Sequence, residues 1–190
     1  RDSNHVVPLL DATELDEDAG TMDERLKGEA QSRFLLVMPQ AERDLSDALS
    51  HDQLAGRDQQ QVVKTLYQIA RHLQYLNEEC GRIHGDIKPR NLVQLLIEQV
   101  MAWVLIDLDA SCEIGSLAGR KVTSSAYFSP EMARQRLSAS SESAASAAAA
   151  PVTASVALEM WSFGAVVYQL CTKDGATIWH SDQADNIDDD

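Results

Sequence analysis

The sequence predicts a single α+β domain, and three observations predict it. Short β-rich apolar runs occur at His5–Ala12, Phe34–Met38, Leu92–Ile97 and Met101–Ile106. A helical apolar period covers Gln61–Leu76, and a second, nearly all-apolar helix covers Leu158–Cys171. The chain has 190 residues, about one domain's worth. With 44% apolar and 24% charged residues it has the composition of a globular protein, which its net charge of -14 does not outweigh.

The first two runs, HVVPLLDA and FLLVM, flank an acidic stretch containing Gly20 and Gly28, and read as two strands joined by a solvated loop. Val62, Leu66, Ile69, Leu73 and Leu76 then fall three or four apart, which makes one buried helix face. Gly81 marks the end of that helix. Ile83–Val93 has no helical period and contains Pro89, which lacks an amide donor, so it reads as a structured loop. The runs at 92–97 and 101–106 are close enough to pair as a hairpin. Ser138–Ala150 is Ala and Ser apart from Glu142, and is expected to be a flexible insertion with no face to bury. The segment LEMWSFGAVVYQLC is apolar nearly all round and is expected in the middle of a core.

Composition also excludes classes. Acidic residues outnumber basic ones 30 to 16, which disfavours a nucleic-acid partner, because a phosphate-tracking surface is built from clustered Lys and Arg. Apolar stretches such as Met101–Ile106 are far short of the roughly 18 to 20 residues of a membrane helix, so no membrane segment is expected. Acid is concentrated in residues 1–30 and 181–190, which read as solvated ends. Cys80, Cys112 and Cys171 have no CxxC spacing, so they read as small buried hydrophobes in an intracellular, cytoplasmic protein.

The chemistry is concentrated in His84-Gly85-Asp86-Ile87-Lys88-Pro89-Arg90-Asn91. A carboxylate, an ammonium and a carboxamide can converge within this short non-helical segment. That set suits phosphoryl transfer: Asp86 accepts a hydroxyl proton, Lys88 lies beside the moving phosphate, and Asn91 offers Mg²⁺ a neutral oxygen. Asp107, at the end of an apolar strand, can supply a charged metal ligand.

HGDIKPRN resembles the HRDLKPxN catalytic loop of eukaryotic protein kinases. Three further elements follow in that family's order: Asp107-Leu108-Asp109 for DFG, Ser129-Pro130-Glu131 for APE, and Glu159-Met160-Trp161-Ser162-Phe163-Gly164 for DxWSxG. The resemblance implies a kinase-like fold covering residues 1–190. Residues 1–41 would be the last strands of the smaller lobe and the hinge, and 42–190 part of a mostly helical larger lobe. It implies Asp86 as catalytic base, Lys88 as phosphate contact, and Asn91 and Asp107 as Mg²⁺ ligands. Ser124 aligns with the small hydroxyl residue of the substrate-docking loop. Met38 falls at the gatekeeper, with Pro39 to Ala41 as the adenine-recognising hinge, and His84 is expected to be packed rather than catalytic. Lys88-Pro89 looks like the serine/threonine type. The implied function is therefore transfer of the ATP γ-phosphoryl group, with Mg²⁺, to a Ser or Thr hydroxyl of a protein substrate.

The sequence departs from the family pattern at several positions. Gly85 stands for Arg, Asp109 for the DFG glycine, and Glu159 for an Asp that steadies the catalytic loop, where one extra methylene is expected to shift the contact. No GxGxxG loop, VAIK-like lysine or αC glutamate occurs in these residues. The resemblance pairs Glu131 with an arginine of a later helix, and a buried carboxylate without its partner costs about 3–5 kcal/mol. The expectation is of a piece incomplete at both ends that folds poorly and is inactive by itself. Two alternatives accompany the kinase reading: a pseudokinase or truncated scaffold, favoured by Gly85, Asp109 and Glu159, and a small-molecule phosphotransferase.

Overall fold

The structure is a computed structural model that describes residues 5–14, 34–51, 54–56, 58–119, 123–140 and 150–187. Strand β1 (Asp11–Glu14) pairs antiparallel with β2 (Phe34–Val37), in the register Asp11 to Val37 and Glu14 to Phe34. The first strand begins later than its apolar run predicts. Pro8 offers no amide donor, and Val6 bridges in parallel to Leu105, with Val7 N donating to Leu105 O at 2.9 Å. The start of the run is thus committed to a different sheet.

That sheet contains β3 (Arg43–Asp44), β5 (Leu92–Ile97) and β6 (Val100–Leu105), in the order β3-β5-β6. The expected hairpin forms, turning through Glu98 and Gln99, both at positive φ. Between them, β4 (Arg82–Ile83) pairs with β7 (Cys112–Glu113). The expected loop at 83–93 accordingly starts on a strand residue and ends in β5, with a 3₁₀ turn at Pro89–Asn91.

Helix α1 (Leu45–His51) follows β3, with Asp44 Oδ1 accepting Asp47 N at 2.8 Å. Helix α2 (Gln59–Gln74) starts where Asp58 Oδ1 accepts Gln61 N at 3.0 Å, a side-chain cap for a first-turn amide. It continues into a single π-helical turn, Tyr75–Glu79. Its buried face, Val62, Ile69 and Leu73, packs with Trp103 and Leu105 of β6 and with Leu45, Ala48 and Leu49 of α1. Each large side chain buried there stabilises the fold by about 1.5–3 kcal/mol.

Helix α3 (Pro130–Ser140) extends three residues into the stretch expected to be a flexible insertion, and residues 141–149 of that stretch lie outside the described residues. Helix α4 (Val156–Cys171) is capped by Ser155, whose Oγ accepts Leu158 N at 3.4 Å. It is not buried all round. Ala165, Val166 and Leu170 enter the main core, whereas Met160, Trp161 and Tyr168 are 39%, 39% and 46% exposed.

Two further expectations are corrected. Cys80 and Cys171 are exposed and Cys112 is only half-buried, because the first two fall at the ends of helical segments beyond the buried faces. Glu131 is exposed in the first turn of α3, where bonds from its own backbone amide and from Ser129 hold its carboxyl below the usual range. The penalty of a buried, unpaired carboxylate therefore does not arise there. Among the described residues no helix is long and apolar enough to cross a membrane.

Candidate active site

The loop after β4 is held from below by α4. Glu159, 2% exposed, accepts His84 N through Oε1 and Asn77 Nδ2 through Oε2 at 2.6 Å, and the Gly85 amide also bonds to it. Burial pushes the Glu159 carboxyl up, and these three donors oppose that. The longer side chain therefore does not break the contact expected of an aspartate. Asn77 comes from the π-helical turn and also donates to Arg82 O at 2.9 Å, bracing both ends of the β4 approach.

Gly85 sits at φ +83°, and a Cβ there would lie 2.5 Å from Ala110 O. The backbone at this point suits only glycine. The substitution of the family's arginine is thus matched to a close approach between the loop and the segment after Asp107.

His84 is fully buried, which drives its imidazole below the ordinary histidine range and keeps it neutral. Its Nε2 lies 2.9 Å from Ile106 O, and its Nδ1 accepts Asp86 N at 3.3 Å, an arrangement that assigns the proton to Nε2. The ring is packed, as expected, and it ties Asp86 to the residue before Asp107. Asn91 O accepts Ile106 N at 3.0 Å, so the same residue is held from both sides. Asp107 follows at φ +60°, exposed at the strand end.

Four of the residues singled out in the sequence converge. Lys88 Nζ lies 3.0 Å from Asp86 Oδ2 and donates to Ser124 Oγ at 2.8 Å. Asn91 Nδ2 donates to Asp86 O at 2.8 Å and to Asp86 Oδ2 at 3.1 Å. Asp86, Asn91 and Ser124 are buried to 8%, 5% and 7% exposure, so these contacts are shielded from water. Asn91 spends its amide nitrogen on Asp86, which leaves its carbonyl oxygen for another partner.

The segment from Ser124 to Phe128 is anchored to α4. Ser162 Oγ donates to Tyr127 O at 2.8 Å, and Tyr127 Oη donates to buried Gln169 Oε1 at 2.8 Å. Burial raises the Tyr127 phenol well above its ordinary range, so it stays a donor. A cavity of about 40 Å³ lies between this loop, Asp86 and Glu159, with Cys112 and Met132 on its wall.

The hinge candidates are placed less uniformly. Ala41 packs with Val93, Val104 and Ile106, and Glu42 N donates to Gln94 O at 3.0 Å, so the end of the candidate hinge rests on β5, which follows Asn91, and on the segment that leads to Asp107. Pro39 is half-buried and Met38 is 48% exposed after β2, so neither joins the Asp86 cluster. Asn77 is the residue missed in the sequence. It lies just past the periodic face of α2, and its only signal is a polar residue following Leu76 where the period lapses.

Comparison with curated proteins returns no match. The family model described as protein kinase domain matches residues 3–189, nearly the whole chain. The chain belongs to the protein kinase domain family.

Proposed function

We propose that this chain is the catalytic part of a serine/threonine protein kinase that transfers the γ-phosphoryl group of ATP to a protein hydroxyl. The observation that carries the reading is the convergence of Asp86, Lys88, Asn91 and Ser124. Asp86 Oδ2 is occupied by Lys88 and Asn91, whereas Oδ1 has no partner among the described residues and is the oxygen assigned to take the acceptor proton. The acceptor oxygen forms its bond to the γ-phosphorus as the bond to the departing ADP oxygen breaks. Its proton passes to Asp86. Lys88 has three N–H donors, two of them directed to Asp86 and Ser124, and the third is assigned to the phosphoryl group. Residues 1–41 are read as the end of the smaller lobe with the hinge Met38 to Ala41, and 42–190 as part of the larger.

The donor set fits Mg²⁺. Asn91 keeps its carbonyl oxygen uncommitted by its own amide bonds, and Asp107 supplies a carboxylate on the neighbouring strand end. Among the described residues no cluster of three His, Cys, Asp or Glu side chains forms a ready cage. Such a site suits an ion that takes one or two protein oxygens and completes its shell with phosphates and water. When bound, the ion neutralises phosphate charge and orients the γ-phosphoryl group.

Two departures that favoured a non-catalytic scaffold carry less weight beside this geometry, since Glu159 reaches the loop amides and Gly85 suits its backbone. In the full chain, Asp86→Asn is expected to abolish phosphate transfer to protein substrate while leaving the chain folded by circular dichroism. Transfer at the unsubstituted rate would sink the role given to Asp86.

A further inference from the structure

Resting on the kinase reading, a substrate class can be named for the same site. Arg90 lies two residues beyond Lys88 on the 3₁₀ turn, and its side chain is 49% exposed. Its Nε is 3.1 Å from Asp185 Oδ2, on a side chain only 16% exposed. The contact is an ion pair whose N–H is not aimed well enough to count as a hydrogen bond. Among the described residues Arg90 makes no other ion pair or hydrogen bond, so both of its Nη groups are without a protein partner.

Asp185 is itself fixed. Residues 182–187 fold into a closed knuckle in which Asp182 Oδ1 accepts both Ala184 N and Asn186 N at 2.8 Å. The knuckle is pinned to the docking loop, with Ala126 N donating to Asp185 O at 3.0 Å and Ile187 N to Ser125 Oγ at 2.8 Å. Ser124 Oγ, already bonded to Lys88, also donates to Ala184 O at 3.4 Å. Arg90 is therefore held by one edge, beside the catalytic carboxylate and the loop assigned to the substrate.

We propose that Arg90 is a specificity-determining residue that reads an anionic side chain, carboxylate or phosphate, flanking the acceptor hydroxyl of the protein substrate. A guanidinium held at its Nε edge by an ion pair presents a planar pair of Nη donors that matches a carboxylate or phosphate. Holding the arginine in place beforehand removes rotamer entropy that binding would otherwise cost. A basic substrate residue has less to meet, because the Asp185 carboxylate lies under the arginine. The chain's charge of -14 repels an acidic partner at long range, so the discrimination resides in contact affinity and not in encounter rate.

The test is fluorescence anisotropy of nucleotide-free full chain with labelled single-serine peptides, in which one Asp, phosphoserine or Lys is moved through the flanking positions. At one position the Asp or phosphoserine peptide is expected to bind about tenfold more tightly than its Lys counterpart. Arg90→Gln should erase that difference and Arg90→Glu should reverse it, and the Asp and phosphoserine arms identify the anion. Equal affinities throughout, tighter Lys peptides, or a preference that survives Arg90→Gln would overturn the inference. Phosphate transfer to the same peptides is measured separately. Its absence alongside an Arg90-dependent preference would reject the kinase reading and leave Arg90 as an anion-binding contact for a protein partner.

Discussion

Asn77 Nδ2 donates to Glu159 Oε2 at 2.6 Å across 82 residues of sequence, and the other oxygen of the same carboxylate holds the backbone of the loop that carries Asp86. The amide bond favours the charged carboxylate against a burial that disfavours it. Asn77, outside the segment that carries Asp86, thus favours the charged form of the carboxylate that accepts His84 N.

Removing that donor should cost stability only while the carboxylate is charged. Asn77→Ala is expected to destabilise the full chain by about 1.5–3 kcal/mol near neutral pH, the range for a hydrogen bond to a charged group. The sign follows from the raised folded-state value of Glu159: above it the buried charge is present and lacks its donor, whereas below it the neutral acid does not need one. Urea midpoints for both proteins across the acid range check this. A deficit that does not shrink as pH falls would show that Asn77 acts by packing alone.

Ser124 bonds Lys88 Nζ at 2.8 Å from the other side of the cleft. Ser124→Ala leaves one lysine donor unmet and frees the ammonium to swing, so kcat/KM is expected to fall about tenfold. Ser124→Thr keeps the hydroxyl and should retain most of the rate. Steady-state kinetics on one protein substrate checks both, and equal rates for Ala and Thr would remove Ser124 from the positioning of Lys88.

The arrangement of Asp86, Lys88 and Asn91 was legible because all three lie within six residues of one another, so the chain itself brings them together. The hairpin at 92–105 was legible for the same local reason: two apolar runs and a two-residue turn leave one pairing. Long-range relations were not legible. No local pattern connects Asn77 to Glu159 or Arg90 to Asp185, and each depends on how α4 and the segment after it return to the loop. Helices α1 and α3 were missed for other reasons. The first is only seven residues long, and the second, PEMARQRLSAS, has no strong apolar stripe, so neither gives a clear 3.6-residue period. Cys80 and Cys171 show the limit of composition: a thiol's usual burial says nothing about a position just beyond a buried face.

Gly85 makes a prediction about backbone. With φ at +83° and a Cβ position 2.5 Å from Ala110 O, Gly85→Ala should destabilise the protein by about 1–3 kcal/mol, the cost of holding a side chain in that conformation. Gly85→Arg, which restores the residue usual in the family, should destabilise it at least as much. Urea midpoints are the check. A variant as stable as the parent would mean that the segment at Ala110 withdraws freely, and that Gly85 is not fixed by this approach.

His72 sets part of the acid response. It is 6% exposed, its Nε2 bonds Trp103 O, and its Nδ1 lies 3.0 Å from His5 Nδ1. Burial lowers its pKa from 6.5 to about 4, against the opposing effect of the Trp103 carbonyl. Between those values the unfolded chain binds a proton that the native state does not, so stability falls as pH drops through the window. Over the full interval the loss attributable to this ring is about 3 kcal/mol. His72→Gln keeps a donor for the Trp103 carbonyl and removes the titration. The difference in unfolding free energy between the two proteins should therefore change in favour of the variant as pH falls, and a difference that stays constant would place the acid sensitivity elsewhere.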